Sequence, residues 1–142
     1  MIYTALTKKA MKICFEAHKN QKDKTGLPYV FHPFHLAEQM TDETTVIAAL
    51  LHDVIEDTDL TLENLKKEGF GDTVLEALAL LTHDPAVPYM EYIESIRHNP
   101  VARAVKLADL RHNSDLTRLN QICDNDLQRN EKYLEAIRRL ES

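Results

Sequence analysis

Apolar positions along this chain recur every three or four residues, the spacing of one helical face. Ala10, Ile13, Cys14 and Ala17, flanked by Met11 and Phe15, predict a helix from Thr4 to about Asn20, with Thr4 or Thr7 as its cap. A polar loop follows to Pro28, with Gly26 and Pro28 marking turns. Pro33 suits the first position of a helix running to about Met40, which places His32 at the helix entry and leaves His35 facing solvent. Asp42 caps the next helix, which runs to Asp57-Thr58-Asp59. Thr61 caps a short one to about Glu68, and Gly69-Phe70-Gly71-Asp72 turns the chain. Asp72 opens a strongly apolar helix carrying Val74, Leu75, Ala77, Leu78, Leu80 and Leu81. After the loop His83 to Pro88, a helix covers Tyr89 to Arg97 and ends at His98, where the helix dipole favours a cation. Asn99 caps, and Pro100 begins, a helix whose apolar run ends at Asp109. The last helix starts at Asn125 or Asp126 and turns Leu127, Tyr133, Leu134, Ile137 and Leu140 inward. The pattern predicts an all-α fold of about eight helices and no strand, in one domain over 1–142.

Composition narrows this picture. The chain has 142 residues, enough for one core, and 44% are apolar. Three glycines and no Trp argue against an all-β fold. A net charge of -6 disfavours a nucleic-acid polymer as partner, though a local cluster of Lys and Arg can still hold a small anion. No signal peptide is expected, and no run approaches the ~18 apolar residues of a membrane span. Cys14 and Cys123 sit in helical apolar patterns and read as reduced core thiols of a cytoplasmic protein.

Candidate chemistry concentrates in Leu50-Leu51-His52-Asp53-Val54-Ile55-Glu56-Asp57-Thr58. On a continuous helix His52 and Glu56 share a face, and Asp53 has acids three and four residues on. Carboxylates among aliphatics cost several kcal/mol each unless compensated. A cation would compensate them; a solvated helix end is the plainer explanation. Asp109, after its apolar run, faces the same choice between Arg103, Lys106 or Arg111 and a metal, with His112 placed to hold a ligand. His32, His52, Asp53 and Asp109 come from three separated segments. Two imidazoles and two carboxylates suit Mn²⁺, Fe²⁺ or Zn²⁺ better than Ca²⁺. Glu56 and Asp57 then stand about one turn away, able to position and deprotonate a water.

The pattern His32…His52-Asp53…Asp109 resembles the signature of HD phosphohydrolases. With Ala17-His18, Gln21, Gly26-x-Pro28-Tyr29-x-x-His32-Pro33, the run from Ala48 to Thr58, and Val105 to Asp109 with Asn113, it is similar to the hydrolase domain of RelA/SpoT proteins and small alarmone hydrolases. The resemblance implies an all-helical fold and one Mn²⁺ on His32, His52, Asp53 and Asp109. It gives Glu56 and Asp57 the activation of water, and substrate contacts to Lys24, Asn113, Arg129 and Tyr133. It implies removal of the 3′ pyrophosphate from guanosine 3′,5′-bis(diphosphate)-type alarmones, giving GDP or GTP. Asp23 and Leu116 depart from the family pattern, which leaves base and 5′ phosphate preference open, an adenosine alarmone included. Other readings are action on a different nucleotide or phosphomonoester, and a non-catalytic nucleotide-binding module. The sequence sets no oligomeric state.

Overall fold

The computed structural model describes residues 1–142 and contains nine α-helical segments and a short 3-10 turn: α1 (Ala5–His18), α2 (Phe31–Glu38), α3 (Glu43–Leu51), α4 (Val54–Asp57), α5 (Leu62–Lys67), α6 (Asp72–Leu81), α7 (Tyr89–Ile96), α8 (Pro100–Asn113), the turn Leu116–Arg118, and α9 (Asp124–Glu141). Side-chain caps set several starts. Thr4 and Thr7 cap α1 reciprocally, the Asp42 carboxylate accepts from the Thr45 N–H at 2.8 Å, and Asn99 accepts from the Ala102 N–H at 2.9 Å. No helix is long and apolar enough to cross a membrane. The only β pairing is an isolated bridge between Lys22 and Pro28, which closes the loop after α1.

Helix α3 is the axis of the packing. Every residue from Thr45 to Leu51 is buried, and α1, α2, α6 and α8 pack around it. A helix apolar on all sides belongs inside, and full burial of a leucine such as Leu50 or Leu51 contributes about 1.5–3 kcal/mol. This arrangement points the C-terminal end of α3, the start of α2 and the C-terminal half of α8 at one another. Helix α9 packs on α7 and α8 and closes that end.

The structure revises several local expectations. The helix expected over 42–57 is broken: α3 stops at Leu51, His52 and Asp53 form a turn, and the ladder resumes when the Asp57 N–H meets the Asp53 carbonyl at 3.0 Å. Counted as one kinked element, α3 and α4 give the expected eight helices. Helix α2 begins at Phe31, so Pro33 is its third residue; its missing N–H costs nothing in a first turn. Cys14 is buried, but Cys123 is exposed and precedes α9, which starts at Asp124. Phe15, Leu127 and Leu134 lie on the surface rather than in the core.

Candidate metal centre

Three elements deliver the candidate ligands. His32 comes from the first turn of α2, His52 and Asp53 from the α3–α4 break, and Asp109 from α8. The ligand atoms of His32, His52 and Asp109, all buried, lie within 4.8 Å of one another. His32 Nε2 is 2.8 Å from Asp109 Oδ1. His52 Nε2 is 3.6 Å from the same oxygen and 3.0 Å from Asp53 Oδ2. Asp53 therefore joins the group through His52, and the break is what lets adjacent side chains 52 and 53 turn to one centre.

Neighbouring groups set which nitrogen faces that centre. His52 Nδ1 lies 2.7 Å from the Ala49 carbonyl, an acceptor only, so Nδ1 donates there and Nε2 is the nitrogen turned to the centre. Burial opposes a charge on this ring, but the Asp53 and Asp109 carboxylates raise its pKa well above the ordinary value, and a cation would take the place of the Nε2 proton. That buried Nε2 has no hydrogen-bond partner of acceptable geometry, although two carboxylate oxygens crowd it. An orphaned imidazole nitrogen surrounded by carboxylate oxygens fits a divalent cation. His32 Nδ1 sits 2.7 Å from His112 Nδ1, where one ring donates and the other accepts. Burial, with Arg118 and the imidazoles of His32 and His35 nearby, pushes His112 down to about 3. A neutral His112 can accept, which leaves His32 Nε2 free to ligate.

Asp109 is the hub of this cluster. Besides the His32 ring at 2.8 Å, it accepts from Lys106 Nζ at 2.9 Å and from Asn113 Nδ2 at 3.0 Å, and His52 Nε2 lies 3.6 Å away. Burial opposes its charge, yet Lys106 and the two histidines hold its carboxyl well below the ordinary range. Asp53 is likewise held near 2: burial opposes ionisation, and the His52 charge and hydrogen bonds outweigh it. The Tyr29 hydroxyl donates to Asp53, and the Tyr29 ring packs between His18 and His32. Sequence reasoning gave Tyr29 no role; its place in the Pro28-Tyr29 motif, three residues before His32, was the available signal.

Two cavities flank the cluster and share Tyr29, Asn113 and Tyr133. The larger, about 370 Å³, is bordered by Lys24, Asn113, Arg129 and Tyr133, the four residues expected to contact substrate. Arg118 also reaches it, a cation that no sequence signal marked. Asp126 lies between Lys24 Nζ at 3.6 Å and Arg129 Nη1 at 3.4 Å. Asp23 is occupied locally: its carboxylate accepts from the Thr25 and Leu27 N–H groups and the Thr25 hydroxyl, closing the loop. The smaller cavity, about 250 Å³, contains His52, Asp53, Asp109 and Glu56. Glu56 accepts from the His83 N–H. Asp57 is exposed and does not border this cavity; partial desolvation by its surroundings, then the Asp53 charge, raises its pKa above the ordinary value.

A helical fold with a buried His-His-Asp group at the junction of three elements defines a class of metal-holding hydrolase domains. The family model of the HD domain matches residues 10–115, and the chain belongs to that family. The guanosine-3′,5′-bis(diphosphate) 3′-pyrophosphohydrolase MESH1 of Danio rerio is 38% identical over 129 residues, spanning 81% of this chain and 71% of that protein. The enzyme named guanosine-3′,5′-bis(diphosphate) 3′-pyrophosphohydrolase in Aquifex aeolicus (strain VF5) is 38% identical over 113 residues, 71% of this chain but 16% of its own length. Among solved structures, a metazoan ortholog of SpoT that hydrolyses ppGpp and plays a role in starvation responses superposes with a TM-score of 0.80. It is 26% identical, and the match covers 99% of this chain and 87% of that one.

Proposed function

We propose that this chain is a metal-dependent hydrolase that removes the 3′ pyrophosphate from guanosine 3′,5′-bis(diphosphate)-type alarmones, yielding GDP or GTP. The observation that carries this reading is the convergence of His32, His52 and Asp109, with Asp53 3.0 Å from His52, beside a cavity that Glu56 borders. The named activity of the relatives supports the same substrate.

In this reading His32, His52, Asp53 and Asp109 hold one Mn²⁺, with Fe²⁺ or Zn²⁺ as chemically adequate substitutes. When bound there, the ion would supply Lewis-acid polarisation of a phosphoryl oxygen and would make water more acidic near neutral pH. Glu56, fixed by the His83 N–H, orients the attacking water and accepts its proton, while Asp57, a carboxylate with a raised pKa one residue on, takes the proton outward. Water adds across the ester between the ribose O3′ and the diphosphate. Lys24, Arg129, Asn113 and Tyr133 hold the nucleotide in the larger cavity. Lys24 and Arg129 then exchange Asp126 for substrate phosphate. Residues 1–142 act as one unit around a single core, and the free thiols accord with a cytoplasmic location.

The test is a Mn²⁺-supplemented screen of guanosine and adenosine 3′-diphosphates beside ordinary nucleotides, read by phosphorus NMR. Pyrophosphate release from the guanosine alarmone supports the proposal. Orthophosphate release, or tight binding without turnover, overturns it.

A further inference from the structure

Most cations at this end of the molecule already have an acid: Lys24 and Arg129 face Asp126, and Lys106 faces Asp109. Lys132 does not. It projects from α9 over the smaller cavity, with Nζ 4.5 Å from the centre of the Tyr89 ring and 5.7 Å from that of Tyr133. The same cavity is lined by the largely buried Lys106, whose Nζ is 5.2 Å from the centre of the Tyr92 ring. Tyr89 and Tyr92, with ring centres 5.9 Å apart, form an aromatic wall of the same cavity that His52, Asp53 and Asp109 line. An exposed ammonium resting on aromatic faces is weakly held and remains available to an anion. The cavity, about 250 Å³, is below the ~300–1,000 Å³ of sites that enclose whole ligands. It suits a small, highly charged fragment next to the metal centre.

We propose that Lys132 is a substrate-binding residue that, over the Tyr89–Tyr92 wall, takes the outer phosphate of the 3′ diphosphate. The nucleoside and 5′ phosphates then occupy the larger cavity. The proposal rests on the functional reading above for the identity of the anion. Lys106 is committed to Asp109, so Lys132 supplies the free charge. The two cavities meet at Tyr29, Asn113 and Tyr133, which lets one ligand span both.

The test is calorimetric titration of the Mn²⁺-loaded full chain with inorganic diphosphate, orthophosphate and GDP, using the parent, Lys132→Met and Lys132→Arg, together with alarmone turnover. Lys132 is exposed, so both variants are expected to keep the parental melting temperature. Lys132→Met should weaken diphosphate binding about tenfold, the scale of one charge-assisted contact, while orthophosphate and GDP change less than about twofold. Lys132→Arg should recover most of the loss. For the alarmone, KM should rise with kcat nearly unchanged. Equal diphosphate binding by Lys132→Met and the parent overturns the subsite even if the parent cleaves the alarmone. So does a loss confined to GDP, which would place the 5′ phosphates there. Diphosphate binding that depends on Lys132, in a parent that leaves the alarmone intact, supports the subsite and rejects the functional reading.

Discussion

Glu56 and Asp57 are adjacent acids in different surroundings. Glu56 faces the metal-side cavity and is fixed by a backbone N–H; Asp57 lies outside that lining and has a raised pKa. Glu56→Gln keeps the shape and removes the base, so kcat is expected to fall at least about 100-fold with metal content unchanged. Elemental analysis beside turnover checks both halves. The two thiols differ as sharply. Cys123 is exposed and Cys14 buried, so one thiol should react with a disulfide reagent in the native state and two in denaturant. Burial pushes Cys14 from 9.0 up to about 12. The unfolded chain therefore loses this proton first, and the stability from this group is whole below about pH 9 and falls as pH rises toward 12. Between those limits the parent should lose about 1 kcal/mol per pH unit more than Cys14→Ala, measured by urea unfolding. The sequence did not separate the thiols, because an apolar neighbourhood in sequence, Ile122 before Cys123, says nothing about whether the segment packs; Ile122 is itself exposed.

Among the helices, the starts were the most legible feature, because a cap is a local hydrogen bond that needs no tertiary partner. Thr4, Asp42, Thr61 and Asn99 all cap where their side chains indicated. Asp42→Ala should therefore cost about 1 kcal/mol in urea unfolding with no change in fold, since it removes the acceptor for the Thr45 N–H at the head of the central helix. The break at His52-Asp53 was not legible. The apolar residues on either side, Leu50, Leu51 and Val54, keep a helical spacing, and the reason to leave it lies in distant segments: Asp109 and Tyr29 engage His52 and Asp53 from α8 and the loop before α2. The inward face of α9 was over-read for a related reason. Leu127 and Leu134 fall on a surface that no other helix covers, while Ala136 and Leu140 meet the core.

For the molecule as a unit, the candidate ligands bind three elements into one centre, so a bound ion stabilises the folded chain as well as its chemistry. Adding Mn²⁺ at about 100 times its dissociation constant should raise stability by about 2.7 kcal/mol, and a chelator should reverse the shift. Differential scanning fluorimetry across a metal series reads this without any substrate. His32, His52 and Asp109, which the fold brings together, were legible as candidates from residue type and the HD-like pattern; Tyr29, Arg118 and Lys132 were not, because only the folded chain brings them to the cavities. Asp109 is the point where the two demands meet. One carboxylate receives His32, Lys106 and Asn113 and lies 3.6 Å from His52 Nε2. Its removal strands the Lys106 ammonium, whose side chain is only 13% exposed, and a broken buried pair of this kind costs about 3–5 kcal/mol. Asp109→Ala should thus melt markedly earlier than Glu56→Gln in the same buffer. A dead variant made at Asp109 would report a damaged scaffold, so any genetic experiment needing a silent but intact copy must be built at Glu56.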